Sequence, residues 1–162
     1  MMDDADYDRK YTEGFVLLAY LSKMREAVVR TTEGLSDEQV RTPGVPSGTN
    51  LLGIVQHLTG VEEHWFGRVF LGEAHLVANK SMQVPAGVTR DRVVASYRRA
   101  YERSDEITQA HPDLSTRAAV PNPGEEQRDS LRVILGHMIE ETARHAGHAD
   151  ILREQIDGAT GL

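Results

Sequence analysis

Residues 131–152, LRVILGHMIEETARHAGHADIL, carry metal-binding side chains at helical spacing. At roughly 100° per residue, His137, Glu141, His145 and His148 fall within an arc of roughly 80°. Ile134, Met138, Leu152 and Ile156 share or border that sector. Polar groups on a face that should be buried are costly unless they are paired or coordinated. A metal site is therefore the leading reading of this stripe.

Ligands for one ion must converge from different directions. Positions i and i+4 lie on one helix face and can share an ion, as do His137 with Glu141 and Glu141 with His145. His145 and His148 stand at i and i+3. This helix offers two ligands at once, and a third must come from a neighbour. His57 is the best candidate, at the border of an apolar stripe and beside a glycine flank. His64 lies on nearly the same line but about 10 Å further along, so both cannot reach one ion. Three protein ligands plus water is the pattern of an open, reactive site. Glu62 projects into the apolar stripe, either as an acceptor behind a ligand histidine or as the partner of an arginine. The rival readings are plain ones. A lone histidine on an apolar face is usually a hydrogen-bonded core residue, and Glu141 with Arg144 or His145 is also an ordinary intrahelical pair. His75 and His111 read as exposed loop residues. Arg98, Arg99 and the pair Glu62 and Glu63 read in part as a solvated charged face.

Long helical patterns position these residues, and no alternating strand pattern competes with them. The first spans 8–31, with Tyr11, Leu17, Leu18, Leu21, Met24 and Val28 inward and Gly34 as its stop. Ser36 and Gln39 form a capping-box pattern that predicts a short helical turn over 36–40. TPGVPSGTN breaks the chain. The second helix spans 50–71, with Leu51, Ile54, Val55, Leu58, Val61, Trp65 and Val69 at helical spacing. Gly53, Gly60 and Gly67 recur along one flank, where a glycine costs up to about 1 kcal/mol in a helix interior. That pattern predicts close approach by a neighbouring helix. The third helix spans 89–110, with Val93, Tyr97, Ala100, Tyr101 and Ile107 inward. The fourth spans 129–156 and ends at Gly158. The long connections 72–87 and 111–128 exceed the usual loop length and read as binding loops. The expectation is an all-α four-helix bundle in one domain, 1–162.

Composition narrows the function. The chain has 162 residues, 40% of them hydrophobic, and no cysteine. A disulfide, a cysteine nucleophile and a thiolate ligand from this chain are thereby excluded, so a metal must be held by His, Asp or Glu. The net charge of −7 disfavours a protein that tracks nucleic-acid phosphates. No run approaches the roughly 20 apolar residues of a membrane span. The acidic start MMDDADYDRK is unlike a signal peptide, so the expected location is the cytoplasm.

His57-Leu58, then Trp65-Phe66, then Glu141-Thr-Ala-Arg-His145-Ala-Gly147 resemble the DinB/YfiT-like metal-binding four-helix bundle superfamily. The phrases VPSGTNLLGIVQHLTGVEEHWF and LGHMIEETARHAGHADILREQIDG resemble an actinobacterial-type branch of it, related to mycothiol-dependent enzymes. The likeness extends over about 13–158. It implies an up-down-down-up bundle with a divalent metal, often zinc or nickel, at its open end. By position the ligands map to His57, Glu141 and His145. The superfamily more often has histidine where Glu141 stands, while a maleylpyruvate-isomerase branch is similar in using glutamate. His148 stands where many relatives have glutamine. It is open to three roles: a fourth ligand, a group bonded behind the ligands, or a proton carrier.

Several relatives are S-transferases or isomerases that use mycothiol or bacillithiol, and others have no known activity. The resemblance implies a cysteine-free protein that borrows a thiol, with the sulfur activated at the metal and protons moved by His148 or His137. Tyr97 or Tyr101 would orient substrate, and an arginine among Arg90, Arg92, Arg98, Arg99 and Arg117 would receive carboxylates of the thiol cosubstrate. A homodimer is also implied. The alternatives are a non-catalytic, stress-related metal- or ligand-binding bundle and a metal-dependent hydrolase.

Overall fold

The computed structural model describes residues 11–76 and 79–161. The acidic stretch at 1–10, with the predicted helix start at Asp8, lies outside the described residues. Helix α1 is Glu13–Arg30, capped by Thr12, whose hydroxyl accepts from the Phe15 amide at 3.3 Å. The chain then turns through Gly34 (φ 74°). The capping box closes as expected. Ser36 N donates to Gln39 Oε1 at 2.9 Å and Gln39 N to Ser36 Oγ at 3.2 Å, opening a 3₁₀ turn at Gln39–Arg41. Helix α2, Leu51–Glu62, is capped by Asn50 and runs straight into a π-helical segment, Glu63–Phe70. Helix α3 is Arg90–Ala110, capped by Thr89, and α4 is Leu131–Asp157, capped by Ser130 and stopped by Gly158 at φ 80°. Each polar cap satisfies an amide the helix leaves unpaired, an effect of about 1 kcal/mol. Among the described residues there is no strand, only an isolated bridge between Arg117 and Ser130.

Named contacts fix the helix directions. Arg132 holds Glu13 at 2.6 Å, joining the starts of α1 and α4. Arg153 donates to the carbonyls of Thr31 and Glu33, joining their ends. These two helices are therefore parallel. Trp65 meets His137, and His57 meets Glu141, so α2 runs against α4. Arg90, at the start of α3, donates to the Leu35 carbonyl beyond the end of α1, while Asp105 near its other end takes Arg25. The bundle is up-down-down-up. No described helix is long and apolar enough to cross a membrane.

The core divides into two apolar clusters. One gathers Val28, Leu52, Ile54, Leu58, Val93 and Leu152. The other gathers Leu21, Phe66, Val69, Ile134, Leu135 and Met138. Along each helix the boundary between them is polar: Arg25 on α1, Glu62 on α2, Asp105 on α3, Thr142 on α4. Arg25 is fully buried and clamps both carboxylate oxygens of Glu62, at 2.7 and 2.8 Å, while its third arm reaches Asp105 at 2.7 Å. Of the two roles open to Glu62, the structure selects the arginine partner. Glu62 is thus a buried ion-pair member and not part of a solvated face.

The glycine flank of α2 and the π segment is approached most closely by a connection and not by a helix. The connection after Gly72 folds back along it as a strap. A Cβ at Gly60 would lie 2.2 Å from the Asn79 carbonyl oxygen, one at Gly53 2.3 Å from that of Met82, and one at Gly67 2.3 Å from Leu76 Cδ1. The pattern predicts close approach by a helix; what approaches is strap backbone at Gly53 and Gly60 and strap side chains at Gly67.

Candidate metal centre

Helix α2 and helix α4 bring His57, Glu141 and His145 together. One ligand atom from each lies within 4.8 Å of the others. Glu141 Oε1 is the hub, 3.2 Å from His57 Nε2 and 3.2 Å from His145 Nε2. The two imidazole rings meet edge to face at 4.9 Å. Glu141 and His145 face the same way because they are one helical turn apart. His57 reaches them from the antiparallel α2. The side chains are 17%, 13% and 9% exposed for His57, Glu141 and His145, so the cluster is sheltered yet reachable from solvent.

The hydrogen bonds around the cluster orient it. His57 Nδ1 lies 2.7 Å from the Lys80 carbonyl oxygen. A carbonyl only accepts, so Nδ1 carries the proton. With Nδ1 so engaged, Nε2 is the ring atom that turns toward a carboxylate oxygen of Glu141. The two atoms face each other at 3.2 Å, a spacing at which they can share a proton or a metal ion. Arg144 donates to the other oxygen of Glu141, Oε2, at 2.8 Å. Burial pushes the Glu141 carboxyl up, but the hydrogen bond with His57 and the charges of His145 and Arg144 outweigh it and hold it below its ordinary value. Burial pushes the His145 imidazole down, only partly opposed by Glu141. A carboxylate favoured in its ionised form, beside an imidazole that burial favours in its neutral form, suits the protonation pattern a divalent ion requires.

The donor set fits such an ion. Two imidazoles and one carboxylate form a known catalytic zinc set with a free position. Bonds of roughly 2.0–2.1 Å in a tetrahedron place neighbouring ligand atoms roughly 3.3 Å apart, close to the 3.2 Å spacings here. His145 Nδ1 is buried without a hydrogen-bond partner among the described residues.

The other histidines separate. His148 is exposed, not on the buried face, with its ring 5.5 Å from that of His145. It stands at the solvent edge of the stripe. His137 is half-buried and packs on Trp65 at 4.7 Å. His64 is buried in the π segment and pairs with Asn122 at 2.9 Å, apart from the triad. His75 is exposed, whereas His111 is half-buried, its Nδ1 bonded to the Ile107 carbonyl at 2.7 Å and its ring against Phe70. Tyr97 is fully buried beside Tyr101, whose hydroxyl donates to Glu26 at 2.6 Å, so both belong to the Arg25 side of the bundle. Arg90 and Arg117 are engaged on backbone carbonyls. A cavity of about 540 Å³ lies between α1 and α3, lined by Phe15, Leu18, Thr108 and Leu114, and contains no triad residue. Sequence reasoning missed Lys80 and named Arg144 only as a partner in an ordinary pair. A carbonyl has no residue-type signature, but the Arg144 spacing from Glu141 was visible.

A family model described as mycothiol-S-transferase matches residues 16–158, a span that includes the triad, the strap and Arg144. No curated protein matches the chain.

Proposed function

The chain belongs to the mycothiol-S-transferase family, and on that premise we propose that His57, Glu141 and His145 hold a divalent metal, zinc or nickel, and that the protein uses a low-molecular-weight thiol of the mycothiol kind for S-transfer or isomerisation. The carrying observation is the Nε2 of His57 facing the Glu141 carboxylate while its Nδ1 proton is engaged by Lys80. When bound, such a metal supplies an open position at which a coordinated thiol loses its proton.

The chain's own residues do the rest. Lys80 and Arg144 orient two of the three ligands, so they need little reorganisation on loading. In S-transfer the C–S bond forms as the bond to the leaving group breaks, and His148, exposed beside His145, takes the thiol proton on a ring nitrogen and releases it to the leaving group or to water. Having no cysteine, the chain offers no internal thiol to compete with the borrowed one. The same reading takes the protein to work as a homodimer in the cytoplasm, where thiols stay reduced.

Elemental analysis of protein purified without an affinity tag tests the reading. About one equivalent of zinc or nickel in the wild type, lost in His145→Ala, supports it and leads to assays of thiol conjugation with an aryl halide. No metal in the wild type after incubation with excess ions overturns it.

A further inference from the structure

The strap after Gly72 is fastened to α2 at points that bracket a single carbonyl. On one side, Asn79 sits against Gly60 so closely that a Cβ there would lie 2.2 Å from its oxygen. On the other, Gln56 Nε2 donates to the carbonyls of Ser81 and Gln83 at 3.0 and 2.6 Å. Met82 is seated on Gly53. Further along, Arg41 donates to the carbonyls of Val84 and Pro85, at 3.0 Å each. Within the strap, Ser81 N donates to Asn79 Oδ1 at 3.1 Å and Gln83 N to Ser81 Oγ at 3.0 Å. Lys80 lies between the Gly60 and Gln56 fastenings, and its carbonyl receives His57 Nδ1 at 2.7 Å.

Three interior glycines weaken a helix, each by up to about 1 kcal/mol against alanine. Two of them are occupied by strap backbone, which no side chain at those positions would admit. Gln56 precedes His57 and spends both of its amide hydrogens on the strap, one on each of two carbonyls. The geometry points to a positioning role: Gln56 and Gly60 act through the Lys80 carbonyl to hold His57 in the Nδ1-protonated tautomer, with Nε2 free for the metal. This rests on the metal reading of the triad, but the tautomer itself is a property of the metal-free protein.

The test uses the full chain with ¹⁵N-labelled histidine. Long-range ¹H–¹⁵N correlation at about pH 8, where imidazole is neutral, reads which ring nitrogen of His57 carries the proton. Zinc affinity is measured in parallel by competition with a chromophoric chelator. The expected wild-type state is Nδ1-protonated. Gly60→Ala displaces Asn79, and Gln56→Leu removes the clamp on the far side. Both are expected to lose the single tautomer and to weaken zinc binding by about 10- to 100-fold, the usual effect of removing a partner behind a ligand. A variant that merely loosens the bundle has no reason to move the tautomer, so that signal separates positioning from packing.

A wild-type His57 protonated on Nε2 overturns the proposal, whether or not zinc binds. So does a wild-type tautomer and affinity in both Gly60→Ala and Gln56→Leu. If the wild type takes up no zinc while the variants still lose the tautomer, the metal reading fails and the strap's hold on His57 stands.

Discussion

Arg144 donates to one oxygen of Glu141 at 2.8 Å, and the other oxygen faces His57 and His145 at 3.2 Å each. The carboxylate is thereby divided between an orienting cation and the ligand cluster. One consequence is that Glu141 would hold a metal through one oxygen, the other being engaged by Arg144. Arg144 is half exposed, with a second contact to Glu140. Its interaction is therefore solvent-screened and modest, in the range of about 0.2–1 kcal/mol. Arg144→Ala should weaken zinc binding by about fivefold at most. The loss should be greater at acidic pH, because Arg144 is one of the groups that hold the Glu141 carboxyl down and a proton competes with the ion. It should shrink as salt is added. Chelator competition across pH and ionic strength checks this. A salt-independent loss would mean that Arg144 acts through packing.

The buried pair of Arg25 and Glu62 makes a different prediction, about folding. Both side chains are 0% exposed. Removing one partner leaves an uncompensated buried charge, which costs about 3–5 kcal/mol. Arg25→Met should thus destabilise strongly, because Glu62 loses the cation that clamps both its oxygens while Tyr97 remains buried. The double change Arg25→Met with Glu62→Leu should recover most of that loss, since apolar residues of similar volume often replace buried pairs at little cost. Urea unfolding of the single and double variants measures the difference. Equal stability of the two would show that Glu62 is satisfied without Arg25.

What the sequence revealed and what it hid follow from range. Caps and stops are local, and Asn50, Thr89, Ser130 and Gly158 bound their helices almost where their residue types place them. The i, i+4 spacing of Glu141 and His145 is also local, and it brings them to one face. The partner of Glu62 is 37 residues away on α1, and no periodicity encodes that pairing. The glycine flank of α2 signals that something comes close without saying what, and strap backbone fits the pattern as well as a helix does. The π winding of Glu63–Phe70 replaces the expected α continuation. Its residue types suit either winding, and the contact of His64 with Asn122, 58 residues away, is one that local pattern does not encode. His148 shares the angular sector of the ligands but sits where α4 faces solvent, a distinction that angle alone does not make.

The histidines held neutral by burial give the metal-free protein a pH dependence. Burial lowers His64 below 6.5, partly opposed by its bond to Asn122, and lowers His145 as well. Between each lowered value and 6.5, the unfolded chain binds more protons than the folded one. Stability therefore rises with pH in that window. The contribution is complete above 6.5 and is lost as pH falls through the folded values. Glu141, also lowered, adds a loss in the same direction below 4.5. Denaturation midpoints should thus fall between about pH 7.5 and about pH 5. His64→Gln should flatten part of that slope, as it removes one titrating group far from the triad. An unchanged slope in that variant would assign the whole effect to other groups.

His148 separates ligand from proton carrier. Its ring is 5.5 Å from His145 and open to solvent, outside the three-residue cluster that gathers on Glu141. A side chain there can exchange protons with bulk water between turnovers, which a buried group such as His145 does less readily. As a proton carrier it should contribute about a hundredfold to the rate, within the usual range for positioned acid–base groups. His148→Ala should keep the metal content and the folded circular dichroism signal while kcat falls and the pH profile loses the limb due to this residue. Elemental analysis beside steady-state kinetics with a thiol and an aryl halide reads both quantities on one preparation. Loss of metal in this variant would make His148 a fourth ligand and close the position the thiol needs. Full metal with an unchanged rate would move the proton-transfer role to His137, whose ring lies one turn below Glu141 against Trp65.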